Sequence, residues 1–137
     1  YDVVGGATMK RYSHTECFEF FGVKPRNTRW SWSGRSEDGK DIAVTLWQDR
    51  FIAGGKTYSF EHDADWRSRP GFVELIENLA IARDNADGRV HVILAQPKDN
   101  DARPRAIARC FPQPNLKMRV VQLDEDQGTF TLERIDA

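Results

Sequence analysis

Between residues 24 and 35 the chain reads Lys-Pro-Arg-Asn-Thr-Arg-Trp-Ser-Trp-Ser-Gly-Arg, with four cations, two indoles and no carboxylate. Those residue types suit one chemistry well. Cations neutralise phosphates, flat indole faces receive unstacked bases, and short polar side chains reach base edges. Arg26, Asn27, Arg29, Trp30, Trp32 and Arg35 are therefore expected to contact nucleic acid, with the arginines on phosphate and the indoles stacking. A second stretch without acids, residues 103–119, holds Arg103, Arg105, Arg109, Lys117 and Arg119, and from it Arg105 and Arg109 join the expected contact set. Each feature also has a plain structural reading. A tryptophan on a strand is usually core, and Lys117 and Arg119 alternate with Met118 and Val120 as on a sheet with one wet face. The net charge is only −1, so a basic face requires the two stretches to meet while acids gather elsewhere, at 61–65 and 124–126.

Other chemistries have less to stand on. Glu61, His62, Asp63 and Asp65 are cation-binding types, but a metal site needs ligands converging from separate elements. A metal-dependent nuclease using Glu61, Asp63 or Asp65 is the enzymatic alternative. His14, Cys17 and Cys110 are zinc-ligand types without the usual paired spacing, so no metal and no cofactor is expected. Nucleophile elbows and phosphate-cradling glycine loops are absent from the sequence. His91, in Val90-His91-Val92, reads as a half-buried strand residue. No catalytic residue is assigned.

The elements that must position these residues emerge from periodicity. Ser13-His14-Thr15-Glu16 has the form of a capping box, and Gly22 with Pro25 forms a stop signal, which together predict a short helix over 14–22. Trp30 and Trp32 alternate with Ser31 and Ser33. After the Asp38-Gly39 turn, Ile42, Val44 and Leu46 alternate too, predicting a hairpin of 29–35 with 40–47. A short third strand is expected over 57–60. Pro70 suits a first helical turn, and Phe72, Leu75, Ile76, Leu79 and Ala80 or Ala82 recur at helical spacing until 85–88. Four strands are then predicted, over 89–95, 105–111, 116–123 and 129–135, with prolines at their margins. The expected fold is α+β with one long and one short helix on a mostly antiparallel sheet, strongly bent or partly closed into a β-barrel.

At 137 residues, 39% of them hydrophobic and 30% charged, the chain has the makings of one domain with a real core. Residues 1–8 precede Met9-Lys10-Arg11 and read as an expression remnant or a disordered leader, with the single domain over 9–137. Nowhere do about 18 consecutive apolar residues occur, so no spanning helix is expected. Two cysteines far apart are expected as reduced thiols, which fits a cytoplasmic setting.

The helix through Leu75, then Gly88-Arg89-Val90-His91-Val92-Ile93-Leu94, Arg105-Ala106-Ile107-Ala108 and Gly128-Thr129-Phe130-Thr131-Leu132, resembles the PUA-like superfamily, which includes EVE, ASCH and SRA-type domains. The resemblance spans about half the chain and implies a small mixed barrel that reads RNA or modified bases. Trp30, Trp32 or Trp47 would then form a base pocket. Together these readings lead to a non-catalytic nucleic-acid-binding module, reading a modified or flipped base. A protein-interaction or homodimerisation domain is the alternative.

Overall fold

The computed structural model describes residues 13–27, 31–52, 56–60, 70–97 and 107–135. Helix α1 (His14–Phe20) begins where the capping box places it. The Ser13 hydroxyl accepts from the Glu16 amide at 3.1 Å, and the Glu16 carboxylate accepts from the Ser13 amide at 2.9 Å. Strands β1 (Ser33–Arg35) and β2 (Ile42–Trp47) form the expected antiparallel hairpin. A 3-10 turn (Gln48–Arg50) leads to β3 (Thr57–Phe60), helix α2 (Pro70–Asn85), β4 (Arg89–Pro97), β5 (Ile107–Asp124) and β6 (Thr129–Ile135).

The two strands predicted over 105–111 and 116–123 are one long strand, β5. Its register on β4 slips between Gln113, opposite Val92, and Lys117, opposite His91, so Pro114, Asn115 and Leu116 bulge out of the ladder. Of β5, only Lys117–Asp124 pairs with β6. Pro112 and Pro114 therefore lie where one side of β5 carries no ladder among the described residues, a position that tolerates a missing N–H.

The sheet order is β1-β2-β4-β5-β6-β3, antiparallel throughout except for the parallel β2–β4 pair. The expectation of a mostly antiparallel α+β fold holds. Among the described residues the sheet is open, with β1 and β3 at its opposite edges, so no ladder closes it into a barrel there.

Two apolar layers cover the sheet. On one face Phe72, Leu75, Ile76, Leu79 and Ala82 of α2 meet Ile42, Val44, Leu46, Val90, Val92, Met118, Phe130 and Leu132. On the other, Cys17, Phe18 and Val23 meet Ala43, Ile93 and Cys110. Strand β2 is buried along its whole length because both helices sit over it. The α2 stripe is the predicted one, with Ala82 rather than Ala80 fully buried. Helix α2 ends in a left-handed turn, Asp87 and Gly88 having φ of 57° and 77°, and the Gly88 amide reaches back to the Ala82 carbonyl at 2.8 Å.

Helix α2 also buries polar groups that periodicity did not flag. Glu74 accepts from the Arg26 amide at 2.8 Å and from the Ser31 hydroxyl, while Asn78 donates to the Ser33 hydroxyl at 2.7 Å. These bonds lock the segment before β1 onto the helix.

Candidate nucleic-acid interface

Of the residues expected to bind nucleic acid, Arg29, Trp30 and Arg105 lie outside the described residues, as do Glu61, Asp63 and Asp65. The remaining five do not share one surface. Arg26 makes a double contact with Glu77 of α2, at 2.9 and 3.0 Å, so its charge is already answered. The Asn27 amide donates to the Ser31 hydroxyl at 3.1 Å. Both residues are thus drawn toward α2. Trp32 goes to the opposite face, half-buried, with its ring 5.2 Å from that of Trp47 and 6.2 Å from the His14 imidazole. Arg35 exchanges backbone hydrogen bonds with Lys24 at the sheet edge. Arg109 is exposed on β5, opposite Gln96, whose amide donates to Gln48 at 2.8 Å. The indole of Trp32 is therefore mainly a wall of the α1 layer.

His14 belongs to that layer as well. Its Nε2 and the Thr45 hydroxyl share a hydrogen bond of 2.6 Å, and its ring stacks on Phe18 at 4.6 Å. Burial lowers its pKa from 6.5 to about 4, so the imidazole is neutral at ordinary pH and acts as a packing group. Cys17 and Cys110 lie in the same layer, yet among the described residues no three His, Cys, Asp or Glu side chains converge as metal ligands do.

A different set of cations comes together. Lys117 is exposed, Met118 buried, Arg119 half-buried and Val120 buried, which is the alternation of a sheet with one wet face. The register puts His91 opposite Lys117 and Arg89 opposite Arg119, so four basic side chains stand in two cross-strand pairs. They lie on the α1 side of the sheet, past the reach of the seven-residue α1. Beside them, at the end of the sheet next to the α2 C-terminus, a cleft of about 400 Å³ is lined by Lys40, Asp41, Asn85, Asp87, Arg89, His91 and Lys117 among others.

Two carboxylates order the cleft without neutralising it. Asp87 accepts from Arg119 at 3.0 Å and lies 3.9 Å from Arg89, while Asp41 meets the His91 Nε2 at 3.2 Å. Lys40, Arg89 and Lys117 at the cleft and Arg119 beside it are four cations against three acids, since Glu133 of β6 stands opposite Arg119. Phe21 stacks on the His91 ring at 4.8 Å and 15°, holding it in place. The Arg119 Nε is buried and meets no acceptor among the described residues. Along the same face, Ser59, Thr131 and Gln122 form a hydrogen-bonded strip across β3, β6 and β5, with links of 3.1 and 3.2 Å. This arrangement offers cationic and neutral donors to an anion lying across the strands.

No family model, curated protein or solved structure matches the chain. Its chemistry has to be read from these residues.

Arg89 and His91 escape detection as contact residues in the sequence because each sits inside an ordinary alternating strand. The signal is present in two pieces, Arg-Val-His and Lys-Met-Arg, and only strand register joins them.

Proposed function

We propose that the chain is a non-catalytic nucleic-acid-binding module whose contact surface is the open sheet face at β4 and β5. The observation that carries this reading is the cross-strand pairing of Arg89 with Arg119 and of His91 with Lys117 beside the cleft. Clustered cations on a groove bind a polyanion by displacing its condensed counterions. Side chains on one strand face repeat every ~6.6 Å, and adjacent strands are ~4.8 Å apart, so the four groups can serve neighbouring backbone phosphates. The hydroxyl and amide strip of Ser59, Thr131 and Gln122 extends the surface with groups suited to base edges or sugar. Arg109 precedes Cys110 of the α1 layer and so points to the other face, outside this surface, and Arg26 serves the fold.

Reading of a modified or flipped base falls, on this view, to the His91 imidazole backed by Phe21, since Trp32 leans on Trp47. The resemblance to PUA-like readers leads to the same class of ligand, and the proposal does not rest on it. The bent sheet expected from the sequence is supported by one contact, the Trp47 amide of β2 donating to the hydroxyl of Tyr58 on the far edge strand at 3.3 Å. The unbridged thiols of Cys17 and Cys110 fit a reducing compartment such as the cytoplasm.

The test is fluorescence anisotropy of labelled single- and double-stranded oligonucleotides across a salt series. Three or four displaced counterions give a slope of about −2 to −3 for log K against log salt on a single strand. The double variant Arg89→Ala, Lys117→Ala should lose at least about tenfold in affinity and flatten that slope. Absence of binding at low salt, or unchanged binding by the folded double variant, would remove this surface. A concentration-dependent mass with no oligonucleotide response would instead favour homodimerisation.

A further inference from the structure

The geometry points to a redox-modification site inside the α1 layer: Cys17 and Cys110 form a dithiol poised to close into an intramolecular disulfide with a small peroxide as oxidant. The two sulfurs are 3.6 Å apart, Cys17 donating its proton toward Cys110. They come from positions 93 residues apart, one on α1 and one on β5, so only the tertiary fold brings them face to face. Cys17 is 0% and Cys110 3% exposed. Their surroundings are Phe18, Val23, Ala43 and Ile93, an apolar shell that keeps the two sulfurs together and away from bulk water.

A disulfide needs its sulfurs at about 2.05 Å, so closure requires an approach of roughly 1.5 Å, on the scale of a side-chain rotation. The hydrogen bond from Cys17 also distinguishes the partners. It holds the Cys110 thiol below its ordinary pKa, and it pushes that of Cys17 far up. That direction favours Cys110 as the attacking sulfur and Cys17 as the resolving one, an order that the Cys17→Ser variant tests.

The chemistry balances with the peroxide named. The Cys110 thiolate attacks one peroxide oxygen, the O–O bond breaks, and the departing hydroxide takes a proton to become water. Cys110 is then a sulfenic acid. Cys17 gives up its proton and attacks the Cys110 sulfur, the S–O bond breaks, and a second water leaves. Two thiols and one hydrogen peroxide become one disulfide and two waters, with both electrons accepted by the peroxide. Peroxide needs a far smaller opening in the apolar shell than a bulky disulfide such as oxidised glutathione would.

The consequence is a covalent staple between α1 and the long central strand. Closing so long a loop should raise the thermal midpoint by about 10 °C. The His91–Phe21 stack, one residue past α1, would be stapled with it.

The experiment treats the folded, reduced full chain with one equivalent of hydrogen peroxide and follows intact mass. The expected product is a monomer lighter by about 2 Da, with a Cys17–Cys110 peptide on non-reducing mapping, reversed by dithiothreitol. Cys17→Ser should stop at the sulfenic acid on Cys110, heavier by about 16 Da. Unmodified thiols after treatment, oxygen added without cross-linking in the wild type, or a disulfide-linked dimer would each overturn the proposal. The wild-type mass result stands by itself if Cys17→Ser fails to fold.

Discussion

Acid should weaken this fold through His14, by an amount that its packing sets. The imidazole is bonded to Thr45, stacked on Phe18 and held neutral by burial, with its pKa lowered from 6.5 to about 4. The unfolded chain therefore takes up a proton before the folded chain does. Stability is intact above pH 6.5 and falls as pH drops from 6.5 toward 4, at up to about 1.4 kcal/mol per pH unit. From about pH 7 to about pH 5 the full effect is roughly 1.8 kcal/mol; the ring keeps some solvent exposure, which reduces it to about 1–1.5 kcal/mol. Urea denaturation followed by tryptophan fluorescence and circular dichroism would measure this in the wild type and in His14→Gln. The variant starts lower at neutral pH, having lost the Phe18 stack, but its stability changes less on acidification. Carboxylates such as Asp38, held below their ordinary range by the Ser36 hydroxyl and the Lys40 amide, titrate alike in both proteins and cancel in the comparison. Equal losses in the two proteins, or an NMR midpoint for His14 near its ordinary 6.5, would refute the burial argument.

Other perturbations probe the remaining supports. Glu74→Ala strips an acceptor from the Arg26 amide and the Ser31 hydroxyl inside the fold, and should cost about 2–4 kcal/mol in denaturant unfolding. Gly34→Ala places a Cβ 2.9 Å from the Lys24 carbonyl carbon, where backbone must move, so a loss of about 1–3 kcal/mol in the same assay is expected. Arg26→Ala breaks a pair in which both side chains are nearly half exposed, so it should cost about 1 kcal/mol or less. Oligonucleotide affinity should barely change in Arg26→Ala, which separates the basic segment from the proposed surface when measured beside Lys117→Ala.

Much of the architecture was legible because it depends on local signals. The capping box at Ser13, the stripe from Phe72 to Ala82 and the turn at Asp38-Gly39 each act within a few residues, and each appears where its chemistry places it. What the sequence could not display is pairing at a distance. The parallel β2–β4 contact, the placing of β3 beside β6 and the fusion of two predicted strands through Pro112 and Pro114 all depend on partners remote in the chain. The candidate surface suffered from the same gap. Arg26 looked like a free cation until Glu77 stood beside it, 51 residues away, and Arg89 and His91 gained meaning only opposite Arg119 and Lys117. Buried Glu74 and Asn78 broke the rule that helix polar residues face water, and the Arg26 amide with the serines around β1 explains them.

The seat of β3 at the outer edge, next to β6, also bears on how the chain matures on the ribosome. Residues 60 and 129 are 69 positions apart, so Thr57–Phe60 leaves the tunnel well before its ladder partner exists. At about 5–20 residues per second that delay is about 3–14 s, far longer than a hairpin needs to form. Helix α2, β4 and β5 can assemble during the wait, but the segment carrying Tyr58 and its backbone donors must idle beside them. Slower translation between those positions should lengthen the interval in which a nascent neighbour on the same message can pair with that strand, and faster translation should shorten it.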